Sequence, residues 1–123
     1  MVCRNKERGE DARQKIIESS KNPDIHLLIG DVSMKQEVKK MAEDFMAQEK
    51  ELNVLILNAG ALCYKKEINA EGLETTIAAQ LINGAYYLTK LLIPVLKNDS
   101  RVIAVSSGGM YNVAFPDWYN YVH

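Results

Sequence analysis

Four apolar residues, Val54-Leu55-Ile56-Leu57, run unbroken and stop at Asn58-Ala59-Gly60. A continuous run this short fits a strand buried on both faces, as in a parallel sheet under helices. Two further runs have the same character. Ile25-His26-Leu27-Leu28-Ile29 ends in Gly30-Asp31-Val32-Ser33, and Arg101-Val102-Ile103-Ala104-Val105 ends in Ser106-Ser107-Gly108-Gly109. Met1 to Cys3 reads as the last few residues of another strand.

Helical spacing fills the intervals. From about Arg8 to Ser20, the residues Ala12, Ile16, Ile17 and Ser20 share one face, with Gly9 weakening the first turn. Met34, Val38, Met41, Ala42, Phe45 and Met46 form the clearest stripe, and the charges Lys35, Glu37, Lys39, Lys40, Glu43 and Asp44 fall mostly off it. Its methionines read as core filling. Ser33 and Gln36 have the spacing of a capping box at its start. A long helix opens at Asn69 or Glu71 and carries Leu73, Ile77, Leu81, Leu88 and Leu92. Asn83-Gly84 interrupts it, and Pro94 kinks or ends it. Strict alternation of strand and helix predicts βαβ units, hence an α/β fold with a parallel sheet and helices on both faces.

Composition narrows the classes. The chain has 123 residues, 47% hydrophobic and 25% charged, which suits one small domain with a core. A net charge of −1 gives no electrostatic case for nucleic acid or an anionic membrane surface. No apolar run has the length of a transmembrane segment, and the charged N-terminus lacks a signal-peptide apolar region, so an intracellular, cytoplasmic location is expected. Cys3 and Cys63 match no metal or redox spacing, so two thiols in a reducing compartment are expected and no metal site. Asn98-Asp99-Ser100 reads as a loop, and His26 as a strand-face or hydrogen-bonded histidine.

In open α/β sheets, ligands bind beyond the carboxyl ends of the strands. Asn58, Ala59 and Gly60 occupy such a place, and the small residues Ala59 and Gly60 let a ligand approach the backbone closely.

Taken with Ser106-Ser107, these residues resemble the short-chain dehydrogenase/reductase family. Val2-Cys3-Arg4-Asn5 looks like the end of the family's second strand, and Asp31-Val32 like the acidic pair after its third. Leu57-Asn58-Ala59-Gly60 looks like its Asn-Asn-Ala-Gly motif, with Leu57 in place of the first asparagine. Gly72-Leu73-Glu74 opens its long helix, and Arg101 to Ser107 resembles its fifth strand and catalytic serine. Glu10-Asp11-Ala12-Arg13, Leu92-Ile93-Pro94-Val95-Leu96 and Val105 to Met110 add to the likeness. The resemblance implies a Rossmann-like, doubly wound sheet, here incomplete. It implies hydride transfer between a nicotinamide cofactor and a carbonyl or alcohol substrate.

By that resemblance Ser107 would hydrogen-bond the substrate carbonyl; its distance to the following tyrosines supports it over Ser106. Asp31 would hold the adenine amino group with Val32 beside the ring, and Asn58, Ala59 and Gly60 would line the cofactor's ribose. Arg4 stands where a base can neutralise a 2′-phosphate, which favours NADP(H) over NAD(H).

Three departures shape the expectation of activity. The family's first strand, glycine-rich turn and following helix would lie before Met1, and that turn carries the donors for the pyrophosphate. The Tyr-x-x-x-Lys pair is not intact. Tyr119 has His123 at the lysine position, and the pair otherwise lies beyond this C-terminus or is replaced by a divergent, loop-like tail over 111–123. A tyrosine titrating near ~10 needs roughly 3 units of lowering to work at pH 7, about 4 kcal/mol. The family's helix asparagine corresponds to Gln80 when counted from Gly72. Counted from Leu92-Ile93-Pro94, one residue is inserted and Asn83 falls close to the family's glycine. A one-residue helical insertion turns the following face by ~100° unless a bulge absorbs it.

The chain is therefore expected to be one partial dehydrogenase domain over 1–123, from the end of strand two to just past strand five, and inactive alone. In the order 3-2-1-4-5, the strands at 25–29 and 54–57 would stand roughly 14 Å apart. Such a chain collapses the gap, pairs with another chain through its bare sheet edges, or is largely unfolded. The alternative function is a non-catalytic interaction domain. A Rossmann-like methyltransferase is compatible with Asp31 but fits Asn58-Ala59-Gly60 and Ser106-Ser107 poorly.

Overall fold

The apolar runs form strands that pair in two separate parallel ladders. The computed structural model describes residues 1–49, 51–60 and 63–108. Strand β1 (Val2–Cys3) pairs with β2 (Leu28–Ile29), and β3 (Leu52–Leu57) pairs with β4 (Leu96–Ala104). Helix α1 (Lys6–Ser20) joins β1 to β2, and α2 (Lys35–Gln48) joins β2 to β3. A composite helix over 75–92 precedes β4: α3 (Thr75–Ile77), a π-helical segment (Ala78–Tyr87) and α4 (Leu88–Leu92).

Helices lie on both sides of β1, but β3 lacks the two-sided burial that its apolar run predicts: beside the open gap Ile56 is 60% exposed, and Val54, Leu55 and Leu57 are only half-buried. A Cβ added at Gly9 of α1 would lie 3.0 Å from the Leu27 side chain and 3.1 Å from Cys3 Cβ, so α1 sits tightly on the face that Cys3 presents. Val2, turned the opposite way by the strand's period of two, lines a cavity with Met41, Ala42 and Phe45 of α2. The buried core lies on that second side. Ala42, Leu92 and Val95 form its centre, with Phe45, Met46, Leu52, Leu55, Leu88 and Leu91 packed around them. The methionine stripe is core, as its spacing implies: Val38, Met41 and Ala42 are buried, and Met34, Phe45 and Met46 half-buried.

Several local expectations need correction. Strand β2 is only two residues long, not five, because its partner β1 offers only Val2 and Cys3. The α1 face is thinner than its pattern implies, with Ile16 and Ser20 exposed and Gly9 the buried residue. Ser33 and Gln36 form no capping box. The N-cap of α2 is Met34, without a side-chain bond. Its orphan donors instead reach Glu71, whose carboxylate accepts from Lys35 N–H at 2.8 Å and Gln36 N–H at 3.2 Å. The long helix begins at Thr75, not at Asn69 or Glu71, with Glu74 as its N-cap. Strand β4 starts at Leu96, earlier than Arg101. Residues 97–100 bulge opposite the single residue Asn53, closed by Ser100 Oγ, which donates to Leu52 O at 2.6 Å. Pro94 ends the helix as expected, inside a 3₁₀ turn (Ile93–Val95).

Residues 78–87 form wide π-helical turns, the kind of bulge that would absorb a one-residue insertion. Wider turns let Ala78, Ala79 and Asn83 all face the interior. They also bring Gly84 against Ala79, where an added Cβ would run into the Ala79 carbonyl oxygen. Only glycine permits that approach.

The gap between the ladders does not collapse: among the described residues no strand pairs β1 with β3. A cavity of about 610 Å³ separates them, lined by Val2 and Leu28 on one side and Val54 and Ile56 on the other.

Candidate functional site

The turn after β2 is built by one carboxylate. Asp31 Oδ1 accepts from Ser33 N–H at 2.8 Å and from Ser33 Oγ–H at 2.7 Å, an Asx turn that an Asp-x-Ser spacing allows. Asp31 Oδ2 lies 3.4 Å from Arg4 Nη1, which comes from the end of β1. Asp31's own N–H donates to Glu37 at 2.7 Å, one turn into α2. Partial burial pushes the Asp31 carboxyl pKa up, but the two Ser33 bonds and the Arg4 guanidinium outweigh it and hold the pKa below its ordinary value.

The Ser33 carbonyl is held from the far side. Asn69 Nδ2 and Asn83 Nδ2 each donate to it at 2.8 Å. Asn69 comes from the loop before the composite helix, and its Oδ1 accepts from Glu71 N–H and Leu73 N–H. Asn83 comes from the π-helical segment and is 1% exposed.

Five of the residues singled out from the sequence meet here. Arg4, Asp31, Val32, Ala59 and Gly60 line one cavity of about 260 Å³ at the carboxyl ends of β1, β2 and β3. Thr75 and Ala79 of the composite helix complete its wall, with Val2, Cys3, Gly30 and Ser33. Sequence reasoning missed Thr75 and Ala79, since no motif singled out either position. Ser33 was legible only as a cap, although its place two residues after Asp31 is an Asx-turn spacing. The cavity is below the roughly 300 Å³ at which whole-ligand pockets begin. It suits part of an extended ligand.

The other candidates lie apart. Asn58 and Gln80 line the larger cavity between the ladders, and Gln80 faces Gly60, with Nε2 3.5 Å from where a Gly60 Cβ would stand. Asn83 is buried against Ser33 and lines neither cavity. Ser107 is exposed just beyond β4, past the last bond of that ladder, Val105 N–H to Leu57 O at 3.0 Å. It therefore sits at the same sheet edge as Asn58 but lines neither cavity. Tyr119 and the 111–123 tail lie outside the described residues. Cys3 and Cys63 are free thiols, and no metal-ligating cluster exists among the described residues. Nor is any described helix long and apolar enough to cross a membrane.

A carboxylate, an arginine and two glycines converging at strand ends can hold a polar, partly anionic group. Arg4 keeps 75% of its side chain exposed, so most of its donors face outward beside Asp31. Gly60 leaves the backbone open on the opposite wall.

Comparison with known proteins bears on this arrangement. The family model described as short chain dehydrogenase matches residues 1–122. Dehydrogenase/reductase SDR family member 12 of Bos taurus is 48% identical over 112 residues, 89% of this chain and 35% of that protein. Retinol dehydrogenase 12 of Bos taurus is 35% identical over 109 residues, 87% of this chain and 34% of that protein. The crystal structure of a short-chain dehydrogenase/reductase, glucose/ribitol dehydrogenase, from Brucella melitensis superposes with a TM-score of 0.68 at 26% identity. It covers 93% of this chain and 47% of the Brucella chain. The chain thus spans about a third of the length of the curated relatives it matches.

Proposed function

Because the chain belongs to the short-chain dehydrogenase family, whose model it matches over residues 1–122, we propose that its smaller cavity takes the adenosine end of NADP(H). The family implies a nicotinamide cofactor; the preference for the 2′-phosphorylated form is our reading. One observation carries it: Arg4, Asp31, Val32 and Gly60 line a single cavity of about 260 Å³ with a largely exposed guanidinium at its rim. The fit is chemical as well as spatial. An ionised Asp31 accepts from an exocyclic amine, and Arg4 meets a phosphate with several donors. The volume matches a base and sugar and excludes the whole dinucleotide.

In the same reading, the assembled protein is an oxidoreductase acting on a carbonyl or alcohol group. Ser107 polarises the substrate oxygen at the edge where Asn58 and Gln80 face the larger cavity. Gln80, not the buried Asn83, fills the helix position beside the reacting groups. The glycines of the described residues lie in helices, at strand ends and in loops, and none forms a glycine-rich turn between a strand and a helix. Pyrophosphate binding and turnover are therefore expected only when that turn is supplied. The test is calorimetric titration of the chain with adenosine 2′,5′-bisphosphate and with adenosine 5′-monophosphate. Saturable binding of the first, at least tenfold tighter than the second, is expected. Equal or absent binding to a folded sample contradicts the reading.

A second reading, a non-catalytic domain that pairs with another chain, is favoured by one feature. Among the described residues β1 and β3 leave facing, unpaired edges around an apolar cavity of about 610 Å³, and Ile56 beside it is 60% exposed. Sedimentation across a concentration series separates the two. Self-association abolished by Ile56→Lys, without nucleotide binding, favours the second.

A further inference from the structure

Asn83 stands on the face of the composite helix where a catalytic role could be sought, yet it is sealed from both cavities. Its Nδ2 donates to the Ser33 carbonyl at 2.8 Å, fifty residues away in sequence. Ser33 in turn donates twice to Asp31 Oδ1. The next residue, Gly84, packs on the same turn: a Cβ there would lie 3.4 Å from Val32 Cβ. Two consecutive residues of the π-helical segment therefore address the two residues that follow Asp31. They reach it together because the wider turn brings Asn83 onto the inward face with Ala78 and Ala79.

We infer that Asn83 is a positioning residue: with Asn69 it clamps the Ser33 carbonyl, fixing the turn that presents Asp31 to the smaller cavity. The wide turn of the π-helical segment is what makes the clamp possible. Its consequence for cofactor recognition rests on the function proposed above; the clamp itself does not. Removing this buried donor leaves the Ser33 carbonyl with the Asn69 amide as its remaining side-chain donor. The turn then loosens, and Ser33 delivers its two bonds to Asp31 less often. Arg4 and Glu37 are the charged groups bonded to Asp31, and the Asn83 amide is bonded to Ser33, so a change at Asn83 reaches Asp31 through Ser33.

The experiment uses Asn83→Leu, close in shape and without a donor, and Asn83→Ser, polar but too short to reach Ser33. The Asp31 carboxyl is titrated by NMR in the ligand-free chain, and NADPH affinity is measured separately. The expected result is a rise of the Asp31 pKa toward its ordinary value in each folded variant, with NADPH affinity reduced about fivefold to tenfold. A folded variant whose Asp31 titration is unchanged overturns the clamp. A raised Asp31 pKa with no nucleotide binding even in the unsubstituted chain upholds the clamp and overturns its part in cofactor recognition. Should Asn83→Leu fail to fold, Asn83→Ser carries the same two readouts.

Discussion

Two strand-end turns face each other across the candidate site, and they are built on opposite plans. The Asp31–Ser33 turn is braced. Asp31 and Val32 are half-buried, Ser33 is buried, and the turn is bonded to β1, α2, the loop at Asn69 and the π-helical segment. Asn58, Ala59 and Gly60 are all exposed, and their contribution is the space that small side chains leave. One side of the cavity thus presents fixed charge, and the other an open backbone. In the proposed function, a ligand held between them would be oriented by the first and admitted by the second.

The largest expected effect comes from disturbing the brace at its base. In an ordinary helix interior, glycine to alanine stabilises by about 0.8–1 kcal/mol. Gly84→Ala is expected to reverse that sign, because its Cβ would meet the Ala79 backbone carbonyl, which cannot swing aside. Overpacking of this kind costs about 1–3 kcal/mol, so a net loss is expected in a urea melt. A stabilised Gly84→Ala chain would mean that the π-helical segment relaxes freely, and the contrast between the turns would weaken.

Next is Ser33→Ala, which removes one of the two Ser33 bonds to Asp31 and is expected to cost about 1 kcal/mol at pH 7. The sign with pH follows from the lowered pKa of Asp31. A carboxyl whose folded pKa is depressed adds stability above its unfolded value, near ~3.9, and loses it as pH falls through the folded value. The gap between Ser33→Ala and the unsubstituted chain should therefore be full at pH 7 and shrink below the ordinary carboxylate range. Parallel urea melts at the two ends of that range would check it. A constant gap would place the loss in packing rather than charge.

Smallest in stability is Gly60→Ala. Its Cβ would stand 3.5 Å from Gln80 Nε2, an ordinary contact, so stability is expected to change by less than about 0.5 kcal/mol. Nucleotide affinity should nonetheless fall, because the open wall narrows. Unchanged affinity would remove Gly60 from the site.

The same contrast explains what the sequence disclosed. Helix α2 was legible because its stripe is continuous and its burial follows the spacing. Strand β3 was legible as an apolar run ended by small residues. The brace was not, since it depends on contacts between distant segments. Ser33 has a cap's identity and spacing, but its hydroxyl finds the Asp31 carboxylate first, and Glu71 from a remote loop takes the helix donors instead. A one-residue insertion in the long helix was suggested only by a mismatch between two counting anchors. Whether it would rotate the following face or widen a turn was decided by packing, with Gly84 allowing the second. Arg4, Asp31, Val32, Ala59 and Gly60 were identified from local motifs, and the fold brings them together. Asn83 was ambiguous for the same reason that it matters: a polar residue in a helix does not announce which side it faces.

The central claim is that Arg4 and Asp31 form the recognition end of a 2′-phosphorylated adenosine site. It is tested most directly by titrating the chain and its Arg4→Ala variant with NADPH and with NADH. The Arg4 side chain is 75% exposed and its ion pair with Asp31 is long at 3.4 Å, so the substitution should leave the melt nearly unchanged. NADPH affinity should drop about tenfold or more while NADH affinity stays within about twofold, erasing the preference. Equal binding of both nucleotides before substitution, or a preference that survives Arg4→Ala, would contradict the account.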